Sequence, residues 1–138
     1  MTTAATRRFV RLRAKSRCEY CLMYEDDEPF FAFHLEHIIA KKHGGTDDLE
    51  NLAWRCHACN EAKGPNLASV DPVTGNIVRL FHPRTQQWTR HFAWTGASIV
   101  GRTQVGRATV HALDMNATHR QALRILLIQL GTFPPKYK

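Results

Sequence analysis

Four cysteines stand in two pairs of identical spacing, Cys18-x-x-Cys21 and Cys56-x-x-Cys59. A Cys-x-x-Cys pair presents two sulfurs from one tight turn, and two such turns supply the four soft ligands of a tetrahedral Zn²⁺. A site of that kind is closed. With four thiolates bound, the metal has no open position and adds folding energy rather than chemistry. The competing readings are two disulfides in an oxidising compartment, a redox-active pair, or unrelated buried thiols. Residues Met1 to Arg8 have no basic start leading into an apolar run, so they do not read as an export signal. The expectation is a reducing cytoplasm and zinc.

Residues 22–55 separate the pairs, a longer interval than a simple zinc ribbon needs. From the first pair the chain runs C-x2-C … F-x-L-E-H-I-I-x-K-K-H-G-G-x-D-x-L-x-N-L-x-W-x-C-x-x-C-N-x-x-K-G over residues 18–64. This pattern resembles the HNH endonucleases of the ββα-metal (His-Me finger) superfamily, in the branch stapled by zinc through four cysteines. A later stretch, L-F-H-P-R-x-x-x-W-x-x-H-F with G-R-A-T-V, is similar to the tails of small bacterial HNH proteins.

The resemblance implies roles residue by residue. His37 matches the general base that deprotonates the attacking water, a task suited to an imidazole that ordinarily titrates near pH 6.5. Glu36 matches the acidic ligand of a catalytic divalent cation. Asn51 matches the amide that pins the loop and orients the base. Asn60 stands where the family name has histidine and is expected to provide a second ligand. Carboxylate and amide oxygens are hard donors and suit Mg²⁺ or Mn²⁺. His34 lies two residues before Glu36 on the same strand face and is a further ligand, a substrate contact or a plain strand histidine. Lys41, Lys42, Arg55 and Lys63 are candidates to hold neighbouring phosphates. The implied activity is hydrolysis of DNA, taken as double-stranded, to 5′-phosphate and 3′-hydroxyl ends.

These residues need elements to carry them. Residues 6–16 read as a basic helix around Phe9 and Leu12. Residues 30–39, aromatic and β-branched, read as a strand. The turn composition of 43–48 leads to a second extended piece at 51–54, and 60–63 read as a helical turn stopped by Gly64-Pro65. On a strand Glu36 and His37 face opposite ways, so a twist or bulge is expected to bring both to one phosphate. Beyond residue 71 the pattern predicts a turn at 73–76 leading into a strand. A hairpin of 91–94 with 98–100 and helices over 106–113 and 119–130 follow. The last helix carries Leu123, Leu126, Leu127 and Leu130 at helical spacing.

The fold class expected is α+β: a zinc-stapled ββα-metal core over residues 1–70 with a basic N-terminal helix, and a C-terminal extension over 71–138 packed on it, made of a β-hairpin plus helices. The chain of 138 residues carries a formal charge of +7, spread unevenly. Residues 1–71 hold 10 basic and 11 acidic side chains; residues 72–138 hold 9 basic and one acidic, Asp114. That surplus favours a polyanionic partner for the second half. No stretch approaches the roughly 18 apolar residues of a membrane span. Three rivals to the nuclease stand beside it. A non-catalytic zinc-stabilised nucleic-acid-binding module would have no use for Glu36, His37 and Asn60. A redox protein would want one Cys pair beside a βαβ pattern. A regulatory protein would carry a decayed nuclease half. The sequence leaves oligomeric state and cleavage specificity open.

Overall fold

The computed structural model describes residues 2–135. It is an α+β protein made of two compact units. The first runs to Leu67 and takes in the later segment His82–Gln86; the second comprises Ala68–Phe81 and the chain from Gln87 onward.

In the first unit, helix α1 (Ala4–Arg13) begins at Thr3, whose hydroxyl accepts from the Thr6 amide at 3.1 Å. Lys15 and Ser16 then adopt positive φ and turn the chain into the first cysteine pair. Strands β1 (His34–His37) and β2 (Leu52–Arg55) pair antiparallel, with His34 opposite Arg55 and His37 opposite Leu52. Helix α2 (His57–Lys63) follows directly, and Cys56 is its N-cap. All four β2 residues are buried, Trp54 among them, and Val10, Tyr20, Phe33 and Ile38 fill the core around them.

β1 is much shorter than the extended run in the sequence. β2 offers only four partners, so pairing stops at His37 and the Asn51 side chain takes over. Its Oδ1 accepts from the Ile39 amide at 2.8 Å and its Nδ2 donates to the Ile39 and Thr46 carbonyls at 3.0 and 2.8 Å. Register along β1 is one-to-one, so no bulge lies between Glu36 and His37. α2 also starts earlier than expected, because the cysteine at its N-cap begins the helix at once.

The second unit has two hairpins, β3 (Ala68–Val70) with β4 (Ile77–Arg79) and β5 (Phe92–Thr95) with β6 (Ser98–Gly101). The short helix α3 (Trp88–His91) precedes β5, while α4 (Gln104–Ala112) and α5 (Thr118–Gln129) follow β6. Asp71, fully buried, builds the first turn: it accepts from the Val73 amide and the Thr74 hydroxyl and takes a bidentate contact from Arg107 at 2.9 and 2.8 Å. The Arg107 contact, with those hydrogen bonds, holds the Asp71 carboxyl well below the usual carboxylate range. Gly106 is required where α4 meets the backbone of α3, since a Cβ there would lie 1.9 Å from the His91 carbonyl oxygen.

The leucine spacing of α5 does not mark its inner face. Arg120, Arg124 and Leu127 are buried, while Leu126 and Leu130 are 51% and 65% exposed. Arg124 donates to the carbonyls of Ala97 and Met115 at 2.6 and 2.7 Å, and Arg120 to that of Leu113 at 2.8 Å. Arg124→Met removes the donors from two carbonyls at once, and each orphaned group costs about 1–3 kcal/mol. A thermal melt should show the second unit losing about 2–4 kcal/mol. An unchanged midpoint would mean that these carbonyls find water.

Candidate metal centre and the His37 loop

The four cysteine sulfurs lie within 4.8 Å of one another, all buried, with no disulfide among them. Cys21 Sγ and Cys56 Sγ are 3.6 Å apart. The edge of a tetrahedron with Zn–S near 2.3 Å is about 3.8 Å. Backbone amides point at two of the sulfurs: those of Tyr20 and Cys21 at Cys18 Sγ, and that of Cys59 at Cys56 Sγ, each at 3.4 Å. Such N–H···S contacts favour thiolate. Burial acts the other way and pushes the Cys18 thiol well up, so a thiolate there needs a cation beside it. The donor set, its burial and its spacing therefore fit structural zinc.

The first cysteine turn is fastened to β2 by Glu19. Its amide donates to the Trp54 carbonyl at 2.9 Å, its carboxylate accepts from the Trp54 amide at 2.8 Å, and it forms an ion pair with Arg84.

His37 closes β1, and its Nε2 lies 2.7 Å from Asp47 Oδ1. A carboxylate only accepts, so Nε2 carries the proton of this bond and the lone pair of the neutral ring sits on Nδ1. Lys41 Nζ reaches the same Asp47 oxygen at 3.0 Å. Sequence reasoning gave Asp47 no role, although the Gly-Gly-x-Asp pattern contained it. The glycines are what let that loop come so close. Gly44 has φ +85°, and a Cβ on Gly45 would fall 1.7 Å from the Ile39 carbonyl oxygen.

The other face of β1 carries His34 and Glu36 toward α2. His34 Nε2 is 3.1 Å from His57 Nδ1, and the Glu36 charge acts on Lys63. Among the described residues, nothing hydrogen-bonds the Glu36 carboxylate or the Asn60 side-chain amide, and both residues are half-buried. His34, by contrast, aims its Nε2 at His57.

Two of the four phosphate-contact candidates need correcting. Arg55 is 1% exposed and donates to the His37 carbonyl at 2.7 Å; Lys63 is 2% exposed and donates to the Ile38 carbonyl at 3.0 Å. Both are internal struts under β1, because the carbonyls leaving the strand have no partner strand to accept from. Burial, with the Arg55 charge nearby, pushes Lys63 down to about 8, partly offset by Glu36. Lys42 is exposed, and Lys41 is exposed with its head on Asp47.

Residues 18–66 match the HNH endonuclease family. The match spans both cysteine pairs, β1, the glycine loop, β2 and α2, which is the segment whose geometry has just been described. No curated protein and no solved structure matches the chain. An HNH segment points to nuclease chemistry or another nucleic-acid-related role, and its four-cysteine cluster is consistent with the Cys-stapled type. Among the described residues no helix is long and apolar enough to cross a membrane.

Metal analysis of the purified protein should return one zinc per chain. Removing it with a strong chelator should abolish the cooperative unfolding of the first unit, because the ligands join its two halves. A fully folded, metal-free protein with four titratable thiols would overturn the assignment.

Proposed function

We propose that the protein is a metal-dependent endonuclease that hydrolyses phosphodiester bonds of double-stranded DNA with a water activated by His37. The observation that carries this reading is the contrast between two sets of polar groups. Asp47, Asn51, Arg55 and Lys63 are all engaged in holding the loop and strand around His37. Among the described residues, the Glu36 carboxylate and the Asn60 side-chain amide are engaged by no hydrogen bond. A merely structural zinc module has no need to hold one imidazole so firmly, or to leave the carboxylate next to it in sequence and the amide of Asn60 uncommitted.

In this mechanism Nδ1 of His37 takes a proton from water. The resulting hydroxide attacks phosphorus, the P–O3′ bond breaks, and the departing 3′ oxygen takes a proton from solvent. Asp47 holds the ring in the tautomer that leaves Nδ1 basic and stabilises the imidazolium as it forms. Glu36 and Asn60 would hold the Mg²⁺ or Mn²⁺, with His34 tied instead to His57. When bound, such a cation neutralises charge developing on the scissile and leaving oxygens. Lys42, exposed on the loop after β1, is positioned by sequence to meet a flanking phosphate.

Zinc-loaded protein should cleave linear duplex and plasmid DNA in Mg²⁺ or Mn²⁺ and leave 5′-phosphate ends. Glu36→Ala should raise the metal concentration needed for half-maximal cleavage by about tenfold or more, with recovery at high metal. Asn60→Ala should do the same more mildly, an amide being the weaker ligand. No hydrolysis of DNA or RNA under any divalent cation would contradict the proposal.

A further inference from the structure

The loop that leads into β1 presents two aromatic rings that the proposed chemistry does not use. Phe30 is 84% exposed and Phe31 55%. Their backbone is held by one carboxylate: Glu28 Oε1 accepts from the Phe30 amide at 2.8 Å and the Phe31 amide at 3.1 Å. One ring is held as well. Phe31 stacks on His57 with centroids 4.3 Å apart and planes at 17°, and His57 stacks in turn on His34 at 5.3 Å and 30°. His57 is steadied from its far side by Glu61, 3.3 Å from its Nε2. Three rings therefore run in series from the loop tip to the strand that bears Glu36 and His37. Phe30 makes no ring contact among the described residues, and the outer part of Phe31 faces solvent.

We infer that Phe30 and Phe31 form a stacking contact for an unpaired or unstacked nucleobase of the nucleic acid cleaved at His37. The inference rests on the proposed nuclease reading and adds how the substrate is gripped. Local charge decides between base and phosphate as the group contacted. Residues 25–33 hold Glu25, Asp26, Asp27 and Glu28 and no Lys or Arg; Arg11 of α1 pairs with Glu25, and the other three carboxylates disfavour a phosphate at the tip. A neutral base has a π-face that stacks on aromatic rings whatever its sequence. A fixed backbone and a ring already stacked from behind also lower the ordering cost of such a contact. Chain length then limits where the base lies. Glu36 lies five positions after Phe31, at most about 18 Å of extended chain. With duplex steps of about 3.4 Å, the stacked base falls within roughly five nucleotides of the cut.

The test uses the zinc-loaded full chain and oligonucleotides carrying 2-aminopurine at successive positions around the mapped cleavage site. Binding is read without added divalent cation and cleavage with Mg²⁺. Wild type should change 2-aminopurine emission only at positions within about five nucleotides of the cut. The Phe30→Ala/Phe31→Ala variant should lose that change and bind about 5- to 100-fold more weakly, while Phe30→Tyr keeps both. If Phe31→Ala lowers zinc content or unfolds the first unit, Phe30→Ala alone decides, because that ring packs on no other ring. Wild-type cleavage combined with unaltered affinity and emission in the alanine variants overturns this inference and leaves the nuclease reading intact. A wild type that neither binds nor cleaves any oligonucleotide overturns both.

Discussion

Four buried thiols within 4.8 Å of one another form a donor set that suits one tetrahedral cation, and the rest of the first unit is arranged around that cluster. Cys18 and Cys21 belong to the turn after α1, while Cys56 and Cys59 belong to the start of α2. Joining them fixes where α2 begins, since Cys56 is also its N-cap. With that start fixed, helical spacing puts His57, Asn60 and Lys63 on the side of α2 that faces β1. A closed site of four sulfurs can do no chemistry itself. Its contribution is to give a short segment with a small core its rigidity.

Cations inside the fold provide the second layer of positioning. Arg55 and Lys63 donate to consecutive carbonyls at the end of β1, and Arg13 donates to those of Leu49 and Leu52. In the second unit Arg107 is committed to Asp71, and Arg120 and Arg124 to carbonyls. Both two-stranded hairpins and the four-residue pairing of β1 with β2 leave many backbone acceptors without a ladder partner, and long basic side chains reach them. Of the seven described cations beyond residue 71, Arg84, Arg107, Arg120 and Arg124 are thus committed to partners within the fold. The exposed ones are Arg79, Arg90 and Arg102, while Lys136 and Lys138 lie outside the described residues.

The parts of the fold legible in the sequence are those in which residue type and spacing both carry the signal. The cysteine pairs, the hairpin around Gly96, α4 and α5 are of that kind, as is Asn51, whose position in the motif announced a loop-pinning amide. What escaped was decided by tertiary context. Asp47 sits in Gly-Gly-Thr-Asp-Asp, where an acidic residue reads as turn chemistry, and only the folded loop sets it against His37. Arg55 and Lys63 read as surface because charged residues usually are. β3 is three residues without alternation and leaves no periodic trace. Phe30 and Phe31 looked like strand because they are aromatic, yet β2 has no residues left to pair with them.

In the proposed reading His37, held by Asp47 and served by the Asn51-pinned loop, is the base in phosphodiester hydrolysis. The most direct measurement is the single-turnover rate of DNA cleavage in saturating Mg²⁺ or Mn²⁺ by wild type and His37→Ala, with zinc content and DNA affinity measured on the same samples. The rate should fall by about 10² or more, with zinc and affinity unchanged. Cleavage by His37→Ala at the wild-type rate would contradict that reading.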